Sequence, residues 1–215
     1  MTGTKDSSYI RKNSGISHLG DKCAVIVAHP DDETLWAGGL MLMHPEVKWT
    51  VVTICRRSDA DRASKFFNAL EEFNAAGYMG DLDDGPEQRA LSNSEVQQTI
   101  MELLPFDKFE LIITHSTAGE YTRHLRHEET ARAVMELWKS ERLGAEQIWS
   151  FAYEDGGQKY LPRADEDADL QIELPKHIWQ KKYDIITKIY SFSEDSFEAR
   201  TTPRREAFRY CRATC

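Results

Sequence analysis

Cys23-Ala-Val-Ile-Val-Ala-His29-Pro-Asp-Asp-Glu33-Thr-Leu-Trp36 is the stretch on which the fold turns. Residues 23–28 form a continuous apolar, β-branched run, as expected of a strand buried on both faces. The chain then passes an acidic cluster and enters a helical segment, 34–43, so the stretch reads as strand, turn and helix.

Four more runs continue the theme. Residues 49–55, 111–115 and 148–153 repeat the buried-strand signature, while 170–174 alternates apolar with polar and fits a strand nearer an edge. Helical patterning fills the gaps at 59–76, 94–104, 128–143 and 175–190. The first has Phe66, Phe67, Leu70 and Phe73 at helical spacing with Gly77 just past its end; the last opens on Pro175. Alternating strands and helices imply right-handed crossovers onto a mainly parallel, Rossmann-like sheet, hence a three-layer α/β/α sandwich. At 215 residues this is read as one domain, 1–215, with the polar residues 1–20 as a loose N-terminal arm.

Composition narrows the function. A net charge of −9 speaks against a nucleic-acid partner, which would call for a basic face. No run approaches the roughly 20 apolar residues that span a bilayer, and residues 1–20 lack the core of a secretory signal, so a cytoplasmic, non-membrane-spanning protein is expected. Cys23 and Cys55 read as small buried hydrophobes, Cys211 and Cys215 as free thiols on a disorganised tail.

In open α/β sheets ligands bind beyond the C-terminal ends of the strands. After the first strand stand His29, Asp31, Asp32 and Glu33, a metal or acid–base cluster. The acids alone read equally well as a helix start, with Asp31 or Asp32 as N-cap. Capping, however, gives no reason for His29. After the third strand come His115, His124 and His127, the last two spaced to share a helical face. Together the two segments supply a His/Asp/His metal site with a position open to water, the arrangement of a hydrolase. G-x-G-x-x-G after the first strand, Walker A, H-E-x-x-H and G-x-S-x-G are all absent. The Asp81/Asp83/Asp84 loop lacks EF-hand spacing, so calcium is rejected.

The A-H-P-D-D-E of residues 28–33, with T-H, G-E-Y and H-x-x-H over 114–127, resembles the LmbE-like (PIG-L) de-N-acetylase family. Weaker similarity runs through Arg62 and residues 80–85 to Lys182 and residues 206–208. The resemblance implies that His29, Asp32 and His127 bind zinc (Fe2+ being an alternative in the cell), that Asp31 is the general base, and that His124 stabilises the oxyanion or protonates the leaving amine. Arg62 and Asp84 would face a sugar. It implies a small N-acetylated substrate, an N-acetylglucosaminyl conjugate, and it allows a homo-oligomer. A deacylase acting on a non-sugar amide and a catalytically silent metal-binding or regulatory protein are the alternatives. Where the family reads H-P-D-H, this chain reads His124-Leu-Arg-His127. Either Glu120 or Asp155 is expected to replace the missing acid, or Arg126 points at substrate. Tyr121 and Trp36 could stack on a sugar ring, though buried packing is the default for both.

Overall fold

A computed structural model describes residues 19–212; the proposed arm, save its last two residues, and Cys215 lie outside them. The chain runs β1 (Lys22–Val27), α1 (Asp32–Met43), β2 (Lys48–Cys55), α2 (Ala60–Phe73), β3 (Ala76–Leu82), α3 (Asn93–Leu103), β4 (Lys108–Thr114), α4 (Leu125–Lys139) and β5 (Gly144–Phe151). A small ribbon follows, β6 (Tyr153–Glu154) with β7 (Arg163–Ala164). The chain closes with β8 (Leu170–Glu173), α5 (Lys176–Asp184), a π-helical turn over Ile185–Ile189, α6 (Phe197–Thr201) and β9 (Arg205–Cys211).

Seven strands form one sheet in the order β3-β2-β1-β4-β5-β9-β8. Neighbours from β3 to β5 pair in parallel, and β9 is antiparallel to both β5 and β8. The architecture is the expected α/β sandwich around a mainly parallel sheet. Alternation along β1 sorts its side chains: Val25 and Val27 face the core shared with α1 and α2, while Ala24 and Ile26 face the core shared with α3 and α4. Because β2 and β4 flank β1, the strand order reverses there, and the ends of β1 and β4 lie side by side at the switch point.

Two strands of the seven-stranded sheet depart from the expectation. The helix expected over 59–76 stops at Phe73, where Asn74 turns left-handed (φ 52°), and Ala76–Leu82 pairs with β2 instead. Its sequence, Ala-Gly-Tyr-Met-Gly-Asp-Leu, carries no β-branched residue, so local preference is silent there. Gly77 leaves room for the helix above it, since a Cβ would lie 2.3 Å from Leu70 Cδ1 and force that side chain to shift. Cys211 ends a strand rather than lying on a loose tail, paired with Ile148.

Between α1 and β9 lies a buried ion pair. Lys182 Nζ sits 2.6 Å from Glu206 Oε1, both side chains fully buried. Glu206 also accepts from the backbone N–H groups of Gly39 (2.7 Å) and Leu40 (2.8 Å). Gly39 permits that approach: a Cβ there would meet Leu174 at 2.4 Å and Glu206 at 2.9 Å. Among the described residues no helix is long and apolar enough to cross a membrane.

Candidate functional site

The backbone leaves β1 at Ala28, whose carbonyl accepts from Cys55 N (3.1 Å) and Thr53 Oγ1 (2.8 Å). Asp31 then adopts φ 115°, a strained conformation for a residue with a Cβ, before α1 begins at Asp32. Asp31 holds the N-cap position, yet its carboxylate makes no cap. Its Oδ2 faces Arg62 (3.4 Å), whereas Asp32 Oδ2 accepts from His29 N (3.0 Å). The two adjacent acids thus point to different partners.

On the β4 side, His124 precedes α4 in extended conformation (φ −129°), and its carbonyl accepts from Glu128 N at 3.1 Å. The helix therefore starts three residues earlier than expected, with His127 in its first turn. Three donor atoms from the two segments converge. His29 Nδ1 lies 3.2 Å from Asp32 Oδ2 and 3.2 Å from His127 Nε2, and the last two are 3.4 Å apart. His115 Nε2 stands 3.5 Å from Asp32 Oδ2, and His124 lies within reach of His29 and His127. These residues can hold a divalent cation.

Buried carboxylates support the imidazoles. Glu120 Oε1 is 2.9 Å from His115 Nδ1 and 2.5 Å from His127 Nδ1. His29 Nε2 faces Asp84 Oδ1 at 3.2 Å. Burial would depress the His127 pKa, but Glu120 foremost, with Asp32, outweighs it and pushes it up to about 9; the same carboxylates face His115, whose Nε2 accepts the backbone N–H of Ala28 and so carries no proton. Asp32 is also buried, yet the His127 and His115 imidazoles hold it well below the carboxylate range. Asp31 moves the other way, raised by burial and then by the Asp32 charge. His124 drops to about 4 through burial and the neighbouring imidazoles.

A cavity of about 280 Å³ opens over this cluster. His29, Asp31, Asp32, His124, His127, Arg62 and Asp84 all line it, as does Tyr121. Arg126 does not. Its guanidinium is fully buried, donating to Asp83 O and Arg89 O (2.6 Å each) and to Glu129 Oε2 (2.5 Å), so it clamps the 83–89 segment rather than facing a substrate. Neither candidate for the missing acid reaches His124. Glu120 serves His115 and His127, Asp155 accepts from Gly157 N, and His124 Nδ1 is buried without a partner. Trp36 is fully buried beneath Tyr121, with ring centroids 5.3 Å apart, so it packs rather than stacks on a ligand.

Arg56, Phe197 and Glu198 also line the cavity and escaped the sequence reading. Arg56 directly follows β2 and pairs with Asp84 at 2.6 Å, so the strand-end rule could have flagged it. Phe197 and Glu198 lie on α6, far along the chain, and carry no motif.

Comparison with known proteins places the chain. Over 205 residues it is 22% identical to an uncharacterized protein of Acanthamoeba polyphaga mimivirus, covering 87% of this chain and 82% of that one. It superposes on an N,N'-diacetylchitobiose deacetylase from Pyrococcus horikoshii with TM-score 0.68 at 14% identity, covering 90% and 84% of the two chains. A 4-carboxy-2-hydroxymuconate hydratase from Pseudomonas putida shares the fold at TM-score 0.58 and 15% identity, covering 89% and 96%. The family model for GlcNAc-PI de-N-acetylases matches residues 24–138, a span that includes both segments meeting at the cluster. With more than half of its 215 residues inside that match, the chain belongs to the PIG-L family of de-N-acetylases.

Proposed function

We propose that this hydrolytic N-deacetylase removes the acetyl group from an N-acetylglucosaminyl conjugate, with zinc held by His29, Asp32 and His127. The observation that carries the reading is the donor triangle, with edges of 3.2, 3.2 and 3.4 Å. A tetrahedral zinc with bonds of about 2.0–2.1 Å needs its ligand atoms about 3.3–3.4 Å apart, and three protein ligands leave a position open. Fe2+ is accommodated by the same imidazole and carboxylate set.

When bound, a divalent ion here supplies Lewis acidity, polarising the amide carbonyl and making water acidic enough to attack near neutral pH. Asp31 accepts the proton of the attacking water. Its carboxylate lines the cavity beside the triangle, and burial raises its proton affinity, which suits a general base. As the C–O bond forms, His124 donates a hydrogen bond to the carbonyl oxygen, held neutral by burial. The C–N bond then breaks, Asp31 returns its proton to the departing amine, and acetate and the free amine result.

The cavity lining combines charged groups, Arg62 and the Asp84–Arg56 pair, with the less polar Leu35, Tyr121 and Phe197. A pyranose has both kinds of face, which favours the sugar over a non-sugar amide. Acetate release from a panel of N-acetylglucosaminyl conjugates and simple N-acetyl amines, with and without chelator, tests the reading. Chelator-sensitive release confined to the non-sugar amines would overturn the substrate class while leaving the chemistry intact.

A further inference from the structure

The acid that the family places between its two histidines is Arg126 here, engaged elsewhere, and a carboxylate from the preceding loop takes up a different post. Glu120 has a fully buried side chain, and one of its oxygens lies within hydrogen-bond distance of two imidazoles, His115 Nδ1 at 2.9 Å and His127 Nδ1 at 2.5 Å. The other ring nitrogen of His115 has a set role. Its Nε2 accepts the backbone N–H of Ala28 at 2.9 Å, which places the His115 proton on Nδ1, toward Glu120. The His115 and His127 rings stack with centroids 3.9 Å apart and planes 15° from parallel, so holding one ring constrains the other. With His127 Nδ1 committed to Glu120, Nε2 is the nitrogen turned toward His29 Nδ1 and Asp32 Oδ2.

We propose that Glu120 is a positioning residue that aims His127 Nε2 at the metal and, through His115, ties the Ala28–His29 backbone to the same carboxylate. The two segments that supply the ligands leave different strands, and Glu120 is the group that couples them. A carboxylate accepting the distal N–H of a ligating imidazole fixes its tautomer and raises its basicity, and losing such a partner weakens metal binding about 10–100-fold. This inference rests on reading His29, Asp32 and His127 as the ligand set.

The test is zinc affinity, measured by competition with a chromophoric chelator, for the wild type, Glu120→Gln, Glu120→Ala and His127→Ala. The absorption spectrum of the cobalt-substituted proteins is recorded in parallel. Glu120→Gln is expected to bind zinc about tenfold more weakly and Glu120→Ala up to about 100-fold, with altered cobalt bands that a merely structural role would not produce. His127→Ala is expected to lose tight binding. Wild-type affinity and spectrum in both Glu120 variants, with binding lost in His127→Ala, would overturn the role of Glu120 and leave the site standing. Wild-type affinity in His127→Ala would overturn the site itself. Should the Glu120 variants fail to fold, proton NMR of the zinc-loaded wild type decides. Two exchange-protected, downfield imidazole N–H signals from His115 and His127 are expected, and their absence contradicts the proposal.

Discussion

Adjacent acids with opposite proton affinities are the central feature at the scale of single residues. Asp32 is held down by two imidazoles, while Asp31, one residue earlier, is raised by burial. The strained φ of 115° at Asp31 lets the two carboxylates diverge, a cost of the kind folds concentrate at functional positions. Asp31→Asn is therefore expected to lower kcat by about 10²–10⁴-fold with zinc affinity within a few-fold of wild type, measured by steady-state kinetics and chelator competition. A second prediction concerns protons. His127 is pushed up to about 9 in the metal-free protein, so at pH 7.5 it is an imidazolium that must lose its proton to become a ligand. Zinc affinity should rise with pH up to about 9, and calorimetry in buffers of different ionisation enthalpy should show at least one proton released per ion at pH 7.5. The sign reverses for the metal-free fold: a histidine raised above its unfolded value stabilises below pH 6.5, and that contribution fades as pH climbs through about 9. The ligand candidates were legible because three histidines and two acids cluster at two strand ends. The buried orientation of Arg126 was not, because besides Glu129 its partners are backbone carbonyls of residues 83 and 89, and main-chain acceptors leave no mark in a sequence.

At the scale of elements, α4 both supplies His127 and steadies the loop bearing Asp84. Arg126 donates to two carbonyls of that loop, and its partner Glu129 accepts from Leu91 N at 2.9 Å. Arg126→Lys keeps the charge but cannot span all three acceptors. It should raise KM several-fold and weaken zinc binding less, since Asp84 and Arg56 line the cavity outside the donor triangle and Asp84 touches that triangle through His29 Nε2 at 3.2 Å. An equal loss of zinc affinity would contradict that division of labour. The Lys182–Glu206 pair plays the corresponding role between α5, α1 and β9. Lys182→Met leaves a buried carboxylate with two backbone donors and no counter-charge, and should cost about 3–5 kcal/mol in denaturant unfolding. Elements with strong periodicity, such as β1, β2 and α2, could be read from sequence. β3 and β9 could not: β3 has no β-branched residues, and β9, Arg-Glu-Ala-Phe-Arg-Tyr-Cys, mixes charges into the one strand that closes on both β5 and β8. Their strand character comes from neighbours far away in the chain.

For the whole molecule, the order β3-β2-β1-β4-β5 decides where chemistry can happen. Reversal at β1 brings the turn after β1 beside the loop after β4, so residues 98 positions apart supply one donor set. That logic was available from the alternation of strands and helices. The contribution of α6, which brings Phe197 and Glu198 to the cavity, was not, because it depends on how the chain crosses from α5 to the antiparallel strand β9. Sharing the fold with a hydratase shows that the sheet alone does not choose the reaction. The family match makes that choice, and the donor triangle with the raised acid beside it is the machinery proposed for it. One measurement tests it most directly: acetate and free amine quantified together from an N-acetylglucosaminyl conjugate, using protein stripped of metal, then reloaded with zinc, alongside His127→Ala treated identically. Equimolar products that vanish on stripping, return with zinc and stay absent in His127→Ala are the expected result. Product formation that survives both metal removal and the loss of His127 would contradict a metal-dependent deacetylase built on this triangle.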